Sequence, residues 1–346
     1  MAMQIRIKPS LYILEESPDV YQIIFTGTRR IKRFEVDGLV KEMIKEILEP
    51  KSEQDLFSIL TKKFGNSEVE QCLRSLESEG VVERYDESYL NQRYGKQISF
   101  LSELTNSWEE AVRLQEKLQR TKVALFGVGG IGTWMVNGLY QIGIGEIRIT
   151  DPDTIDMSNL NRQLYFTSED IGKPKVEVIK KKIPDAKIIT SRKWVSEGED
   201  LEEITNECDF LVNCTDIPSV ADTTRIIDKY ARKGSQPYLV SGGYNLHLGM
   251  VGPIIIPGKT ACFDCFLDSQ KKRDNLSSLI KIKDIEQTGN LGPIAGAIAN
   301  LQVMEIFKFL TKKGTYNTNR FAEIDFLDFS LSWVDYTKRE GCNCSS

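Results

Sequence analysis

Residues 122–132 read Lys122-Val123-Ala124-Leu125-Phe126-Gly127-Val128-Gly129-Gly130-Ile131-Gly132. The short apolar run predicts a buried strand, and the glycines after it predict a tight turn that opens a helix. Glycine lets the backbone take unusual angles and lets a phosphate approach closely. A helix N-terminus adds free N–H groups and a partial positive charge. Gly127, Gly129, Gly130 and Gly132 are therefore candidate nucleotide ligands.

Asp151 falls at the end of the next strand candidate, Ile147–Thr150, where a carboxylate can accept ribose hydroxyl groups. These two features alone would suit a dinucleotide-dependent dehydrogenase. The residues that follow do not. Asn159-Leu160-Asn161-Arg162-Gln163 precedes Gly172-Lys173-Pro174-Lys175, and a later strand ends in Asn213-Cys214-Thr215-Asp216. Arg162 and Lys175 can pair with a triphosphate, and Asp216 can hold Mg²⁺. Two cations and a metal-ready carboxylate suit displacement at phosphorus, where negative charge must be neutralised. A dinucleotide carries too little charge to need all three.

Around this stretch, strand and helix patterns alternate from residue 121 onward. Lys122–Phe126, Ile147–Thr150, Lys187–Thr190, Phe210–Asn213 and Tyr238–Ser241 are strand candidates, with helical spacing between them. The expected fold class is α/β: a Rossmann-like, mostly parallel sheet with helices on both faces. Leu248–Ile256 and Glu323–Phe329 are expected to add antiparallel strands, and a long helix is expected near Leu301–Leu310.

The first 85 residues have a different rhythm. Leu11–Leu14, Val20–Phe25 and Ile31–Val36 read as strands separated by turns at Ser17-Pro18-Asp19 and Thr26-Gly27-Thr28. Three amphipathic helices follow. The second opens with Ser52-x-x-Asp55, the third opens with Ser67-x-x-Glu70 and stops at Gly80, and Val81–Arg84 returns as a strand. This order predicts a small winged-helix-like α+β domain. Its third helix carries four glutamates against Arg74, a face that repels nucleic-acid phosphates. A strand edge beside a helix suits strand addition by a peptide instead, along the third strand and third helix. The expected organisation is a recognition domain at 1–85, a linker and arm at 86–120, and a nucleotide domain at 121–346.

Composition sets the outer limits. The 346 residues are 40% hydrophobic and 27% charged with net charge −5, which gives no case for nucleic-acid or membrane-surface binding. No secretory segment and no apolar run of about 18 residues is evident, so the cytoplasm is the expected compartment. Seven cysteines are too sparse for a disulfide framework. Cys262/Cys265 and Cys342/Cys344 form two close pairs that can supply a tetrahedral Cys₄ zinc site. Such a site is structural, because four thiolates leave no open position. Cys72, Cys208 and Cys214 read as inert core thiols, and His247, the sole histidine, as a structural residue in an apolar strand.

The run from Lys122 to Lys175, with Cys214-Thr215-Asp216, Cys262-Phe263-Asp264-Cys265 and the segment Leu291–Leu310, resembles the ThiF/MoeB adenylating family, relatives of the ubiquitin-activating enzymes. The resemblance covers about residues 90–345. It implies that Gly127, Gly129, Gly130 and Gly132 line ATP and that Asp151 binds ribose. It also places Asp153 and Gln163 at the nucleotide, Asn159, Arg162 and Lys175 at its phosphates, and Asp216 on Mg²⁺. It implies a homodimer in which Arg93-Tyr94-Gly95-Lys96-Gln97 forms an arm to the partner's phosphates, with Lys96 where the family usually has arginine. Two departures stand out. Ile285–Asn290 lacks the reactive cysteine of many relatives, which argues against sulfur transfer, and the last metal pair is Cys-x-Cys instead of Cys-x-x-Cys.

The N-terminal unit resembles the precursor-peptide recognition element of enzymes that modify ribosomally made peptides. The combined expectation is ATP/Mg-dependent adenylation (or phosphorylation) of a carboxyl or amide group on a precursor peptide, followed by cyclisation, in pantocin-like or microcin C-like antibiotic biosynthesis. Two other readings stay open: adenylation of a sulfur-carrier protein's C-terminus, and a non-catalytic scaffold that delivers a peptide to a cyclodehydratase.

Overall fold

The computed structural model describes residues 3–196, 199–273 and 289–344. The chain divides into two compact units, Met1–Glu116 and Lys117–Ser346.

The first unit begins with β1 (Gln4–Ile7), β2 (Leu11–Ser17), β3 (Val20–Phe25) and β4 (Arg30–Glu35). It continues with α1 (Gly38–Glu46), β5 (Lys51–Ser52), α2 (Glu53–Leu60), α3 (Asn66–Ser78) and β6 (Val82–Tyr85), then α4 (Gly95–Ser102) and the start of α5 (Trp108–Arg120). The turns at 17–20 and 25–30 fold β2, β3 and β4 into an antiparallel meander with β4 at its edge. Met43, Ile47, Leu56, Leu60, Val69 and Leu73 bury the helical stripes against Ile5 and Ile23. Ser52 caps α2 by accepting the Asp55 N–H at 3.1 Å, and Gly80 takes φ +74 after α3. The opening of α3 differs from expectation: the Glu68 carboxylate reaches back to the Gly65 N–H at 2.9 Å, so the helix begins at Asn66, ahead of Ser67.

In this unit β1 and β5 escaped the sequence reading, as the strands Tyr244–Asn245 and Leu331–Asp335 do in the second. Gln4–Ile7 is short and half polar, and it becomes a strand because β5 and β6 flank it. Arg6 there lies 3.8 Å over the Tyr85 ring and pairs with Glu83 at 2.7 Å. The segment after residue 85, expected as linker, is largely helical. Trp108 in α5 is buried, its ring 5.8 Å from that of Tyr85.

The second unit carries β7 (Lys122–Phe126), α6 (Gly130–Gln141), β8 (Glu146–Thr150), α7 (Lys175–Lys182), β9 (Ile188–Ser191), α8 (Glu199–Thr205), β10 (Phe210–Asn213) and α9 (Val220–Gly234). After these come β11 (Tyr238–Val240), β12 (Tyr244–Asn245), β13 (Leu248–Val251), β14 (Ile254–Ile255), α10 (Phe263–Arg273), α11 (Gly292–Thr311), β15 (Arg320–Asp325) and β16 (Leu331–Asp335). The main sheet runs β14-β11-β10-β7-β8-β9, parallel except for β14. Alternate residues of one strand face opposite layers. Ala124, Phe126 and Leu211 join a core with Ile227 of α9 and Phe263 of α10, while Phe210 meets Phe309 of α11 at 5.3 Å. Helices therefore cover both faces, as the sequence predicts.

The expected strand 248–256 is broken: β13 joins a second, antiparallel sheet, β12-β13-β15-β16, and β14 edges the main one. His247 lies in the turn between β12 and β13, not in a strand, 3.7 Å from Asp325. α11 is twice the expected length and, among the described helices, alone meets the length and apolarity of a membrane span. Most of that stretch is buried within the fold.

Candidate nucleotide site and cysteine cluster

Strand order reverses between β7 and β10, which is where open α/β sheets leave a crevice beyond the strand C-termini. Phe126 and Asn213 are register partners, so the glycine turn and the Asn213–Asp216 segment emerge side by side. The Cys214 N–H donates to the Phe126 carbonyl at 2.7 Å. Gly127, at φ +87, sits so close to the Cys214 carbonyl that a Cβ there would come within 2.8 Å of it. At Gly132 a Cβ would stand 2.0 Å from the Gly127 carbonyl oxygen, so only hydrogen fits. Gly129 is different: as N-cap of α6 it has no side-chain cap, and a Cβ on it would meet nothing within 4 Å. The open side of the turn thus faces the unsatisfied N–H groups of the helix.

Asp151 organises the loop. Its Oδ2 accepts the Val128 N–H at 2.8 Å and its Oδ1 the Asp153 N–H at 2.9 Å. Burial pushes its carboxyl up from the ordinary range, against the pull of Lys175 and these two amides. Lys175 is the first residue of α7 and is buried. Its Nζ lies 2.8 Å from Asp153 and 4.0 Å from Asp151.

Arg162 lies across the helix start: a Cβ on Gly130 would meet its Cδ at 3.4 Å. The Asn159–Gln163 loop is built on a 3₁₀ turn (Met157–Asn159) in which Asn159 Oδ1 accepts the Asp156 N–H at 3.1 Å. Gln163 is buried with Oε1 unpartnered among the described residues, an acceptor left over for a ligand or water. Asp216 is exposed, two residues beyond Cys214 in the loop between β10 and α9. These contacts bring the glycines, Asp151, Asp153, Lys175 and Arg162 into one constellation. Asp216 joins it through the β10 loop and makes no described contact with either cation. Lys96 is exposed on α4 of the first unit.

Residues that motif reading passed over hold this site. Trp134 Nε1 donates to the Arg162 carbonyl at 3.0 Å, and Thr133 Oγ1 accepts the Leu164 N–H at 3.1 Å. Gly292 at the start of α11 packs so close to Asn161 that a Cβ would come within 2.6 Å of its carbonyl oxygen. Asn213 Oδ1 accepts from the Thr215 N–H and hydroxyl, fixing the turn that presents Asp216. Helical periodicity marks Trp134 only as a helix residue, and its role depends on contact with a distant loop.

The four thiols of Cys262, Cys265, Cys342 and Cys344 lie within 4.8 Å of one another, with neighbouring sulfurs at 3.6, 3.8 and 3.9 Å. A tetrahedron of thiolates about 2.3 Å from zinc has edges of about 3.8 Å, so the donor set fits Zn²⁺ despite the shorter Cys-x-Cys bite. The Arg339 N–H points at Cys265 Sγ from 3.4 Å, and Phe263, Phe266, Phe321 and Tyr336 pack around the cluster. Burial pushes the remaining thiols up, Cys72 and Cys208 to about 11 and Cys214 to about 12, which disfavours the nucleophilic thiolate.

A family model, the ThiF family, matches residues 95–345. The chain belongs to the ThiF family. This ThiF-family chain is 28% identical over 204 residues to the sulfur carrier protein ThiS adenylyltransferase of Escherichia coli, covering 57% of its own length and 75% of that protein. It is 24% identical over 290 residues to the adenylyltransferase and sulfurtransferase UBA4 of Scheffersomyces stipitis. That match covers 83% of this chain but spans 59% of the yeast protein. Among solved structures, E. coli MccB with ATP superposes with TM-score 0.73 at 23% identity, covering 99% of this chain and 100% of that one. PaaA superposes with TM-score 0.73 at 22% identity, covering 96% and 100%. The structural likeness runs through both compact units.

Ile285–Thr288, part of the segment without a reactive cysteine, lies outside the described residues.

Proposed function

We propose that this chain is an ATP- and Mg²⁺-dependent adenylating enzyme that activates a carboxyl or amide group of a ribosomally made precursor peptide held by its first unit. The observation that carries the reading is the convergence of glycine amides, Arg162 and Lys175 at the reversal of strand order. In the proposed step the peptide oxygen attacks the α-phosphorus of ATP and pyrophosphate leaves. Backbone N–H groups at the start of α6, with Arg162 and Lys175, offset the charge that grows on the phosphate oxygens. Asp151 anchors the ribose, Asn159 and Gln163 border the nucleotide, and Asp216 holds Mg²⁺, which would screen the leaving phosphates. Attack at the γ-phosphorus, releasing ADP, would use the same groups. Zinc at the four thiols would be structural.

The first unit favours the peptide reading. Solved structures of MccB include complexes with MccA, and the likeness to MccB includes the residues ahead of the family match. The meander leaves β4 as a free edge beside α3, and a groove runs between them. A peptide can add to that edge by strand pairing. The alternative substrate, a sulfur-carrier C-terminus, is favoured by the likeness to the ThiS adenylyltransferase of E. coli and leaves the groove without a task. Incubating the protein with ATP, Mg²⁺ and candidate precursor peptides, then measuring pyrophosphate and ADP, tests the proposal. Peptide-dependent release of either supports it, whereas release driven only by a sulfur-carrier protein would replace it.

We also propose a homodimer, with Lys96 as an arm residue toward the partner's phosphates. Gly249 packs on Ile298 of α11, and the register places Leu331 and Trp333 on that same sheet face. Both are about half exposed, beyond the reach of α11. A second copy would cover them.

A further inference from the structure

Just past the Asn159–Gln163 loop, Tyr165 takes φ +80. That left-handed region is uncommon and costly for an aromatic residue. Such a backbone persists only where its surroundings over-determine it. Here the chain has just presented Arg162 and is turning away from the nucleotide crevice toward the buried Phe166.

One helix supplies the restraint. Trp134 Nε1 donates to the Arg162 carbonyl at 3.0 Å, and the Leu164 N–H donates to Thr133 Oγ1 at 3.1 Å. The Tyr165 hydroxyl donates to Asn137 Oδ1 at 2.9 Å. Thr133 and Asn137 stand four residues apart on α6, so they share one face about 6 Å long. Burial pushes the Tyr165 phenol up, so the hydroxyl keeps its proton and stays a donor.

The helix side of these bonds is itself held. The Thr133 hydroxyl donates to the carbonyl of Gly129, the N-cap of α6, at 3.0 Å. Behind it, a Cβ on Gly296 of α11 would stand 3.3 Å from the Trp134 ring, and one on Gly138 would stand 2.9 Å from Val303. α6 therefore has no room to retreat toward α11.

Arg162 is left with a fixed backbone and a movable head. Its stem crosses Gly130, and its Nη1 donates to the Ser158 carbonyl at 2.5 Å and to Asn161 Oδ1 at 3.2 Å. Both acceptors are neutral, and a charge-assisted bond to phosphate is stronger than either. Trp134 and Thr133 grip the backbone at and after Arg162. The bond to Asn137 grips the reversal that lets the backbone lie there.

Resting on the nucleotide-site reading above, we infer that Tyr165 is a positioning residue: its hydroxyl, seated on Asn137, holds the strained reversal that keeps the Arg162 backbone against the start of α6 and its guanidinium within reach of an ATP phosphate. Tyr165 acts through Arg162 and needs no contact with the nucleotide.

Titration calorimetry of Mg·ATP into the full chain tests this as a double-mutant cycle. Arg162→Met should weaken Mg·ATP by about tenfold or more, and Tyr165→Phe by about fivefold, the scale of one net hydrogen bond. In the double variant the second loss should largely vanish, leaving affinity within about twofold of Arg162→Met alone. Asn137→Leu removes the same bond from the helix side and should reproduce both the loss and its dependence on Arg162. A residue that only stabilised the fold would lower the melting temperature and leave the cycle additive. Parental affinity in both Tyr165→Phe and Asn137→Leu, or losses that add in full to that of Arg162→Met, overturns the inference and leaves the nucleotide site standing. Unchanged affinity in Arg162→Met would instead remove Arg162 from the phosphates, and this inference with it.

Discussion

Lys175 occupies the first position of α7, where the helix dipole disfavours a cation, and it is buried as well. Asp153 and Asp151 offset that cost in the free protein. In the proposed function an incoming triphosphate would take over their part. Lys175→Met should lower peptide-dependent ATP turnover by about 10²-fold or more, the scale of a lost transition-state donor. Asp216 gives a cleaner contrast because it is exposed and touches nothing that holds the fold. Asp216→Ala should abolish turnover and shift thermal stability by no more than about 0.5 kcal/mol. Full turnover in this variant, measured as pyrophosphate or ADP release, would remove the metal role.

At the scale of elements, the turn between β7 and α6 separates two uses of glycine. Gly132 has its neighbour's carbonyl where a Cβ would go, so Gly132→Ala must displace the turn. The expected cost is about 1–3 kcal/mol, with nucleotide binding lost along with it. Gly129 has open space, and Gly129→Ala should stay within about 1 kcal/mol of the parent. It should still weaken ATP binding, because the methyl group would fill the open space where the proposed site receives phosphate. Thermal unfolding and nucleotide titration on the pair distinguish them; unchanged ATP affinity in Gly129→Ala would move the phosphates elsewhere. The C-terminal tail is a second such element. Cys342 and Cys344 lie in coil beyond β16, held by the cluster they complete with the start of α10. Elemental analysis should find about one zinc per chain. Cys342→Ser should lower both zinc content and melting temperature, and metal-free protein with unchanged stability would retire the site.

For the whole molecule, the antiparallel sheet leaves Leu331 and Trp333 half exposed on the face that α11 covers further along. If the proposed dimer forms, Trp333→Glu should convert it to a monomer in light scattering and depress ATP turnover through loss of the partner's Lys96. A wild-type monomer at working concentration would end the proposed arm role of Lys96.

The parallel strands, their order of appearance and the glycine turn could be read from the chain alone, because they rest on neighbours: an apolar run, a glycine cluster, a helical stripe. Asn66 as the start of α3 and the brief β1 could not, since each depends on a reach-back contact or a flanking strand. What folding alone decided is adjacency across long separations. Sheet order and register set Cys214 against Gly127, Trp134 under Arg162, and Cys262 beside Cys342 across 80 residues. The groove belongs to the same class: its floor comes from strands and its wall from α3, and it exists only once those elements are packed.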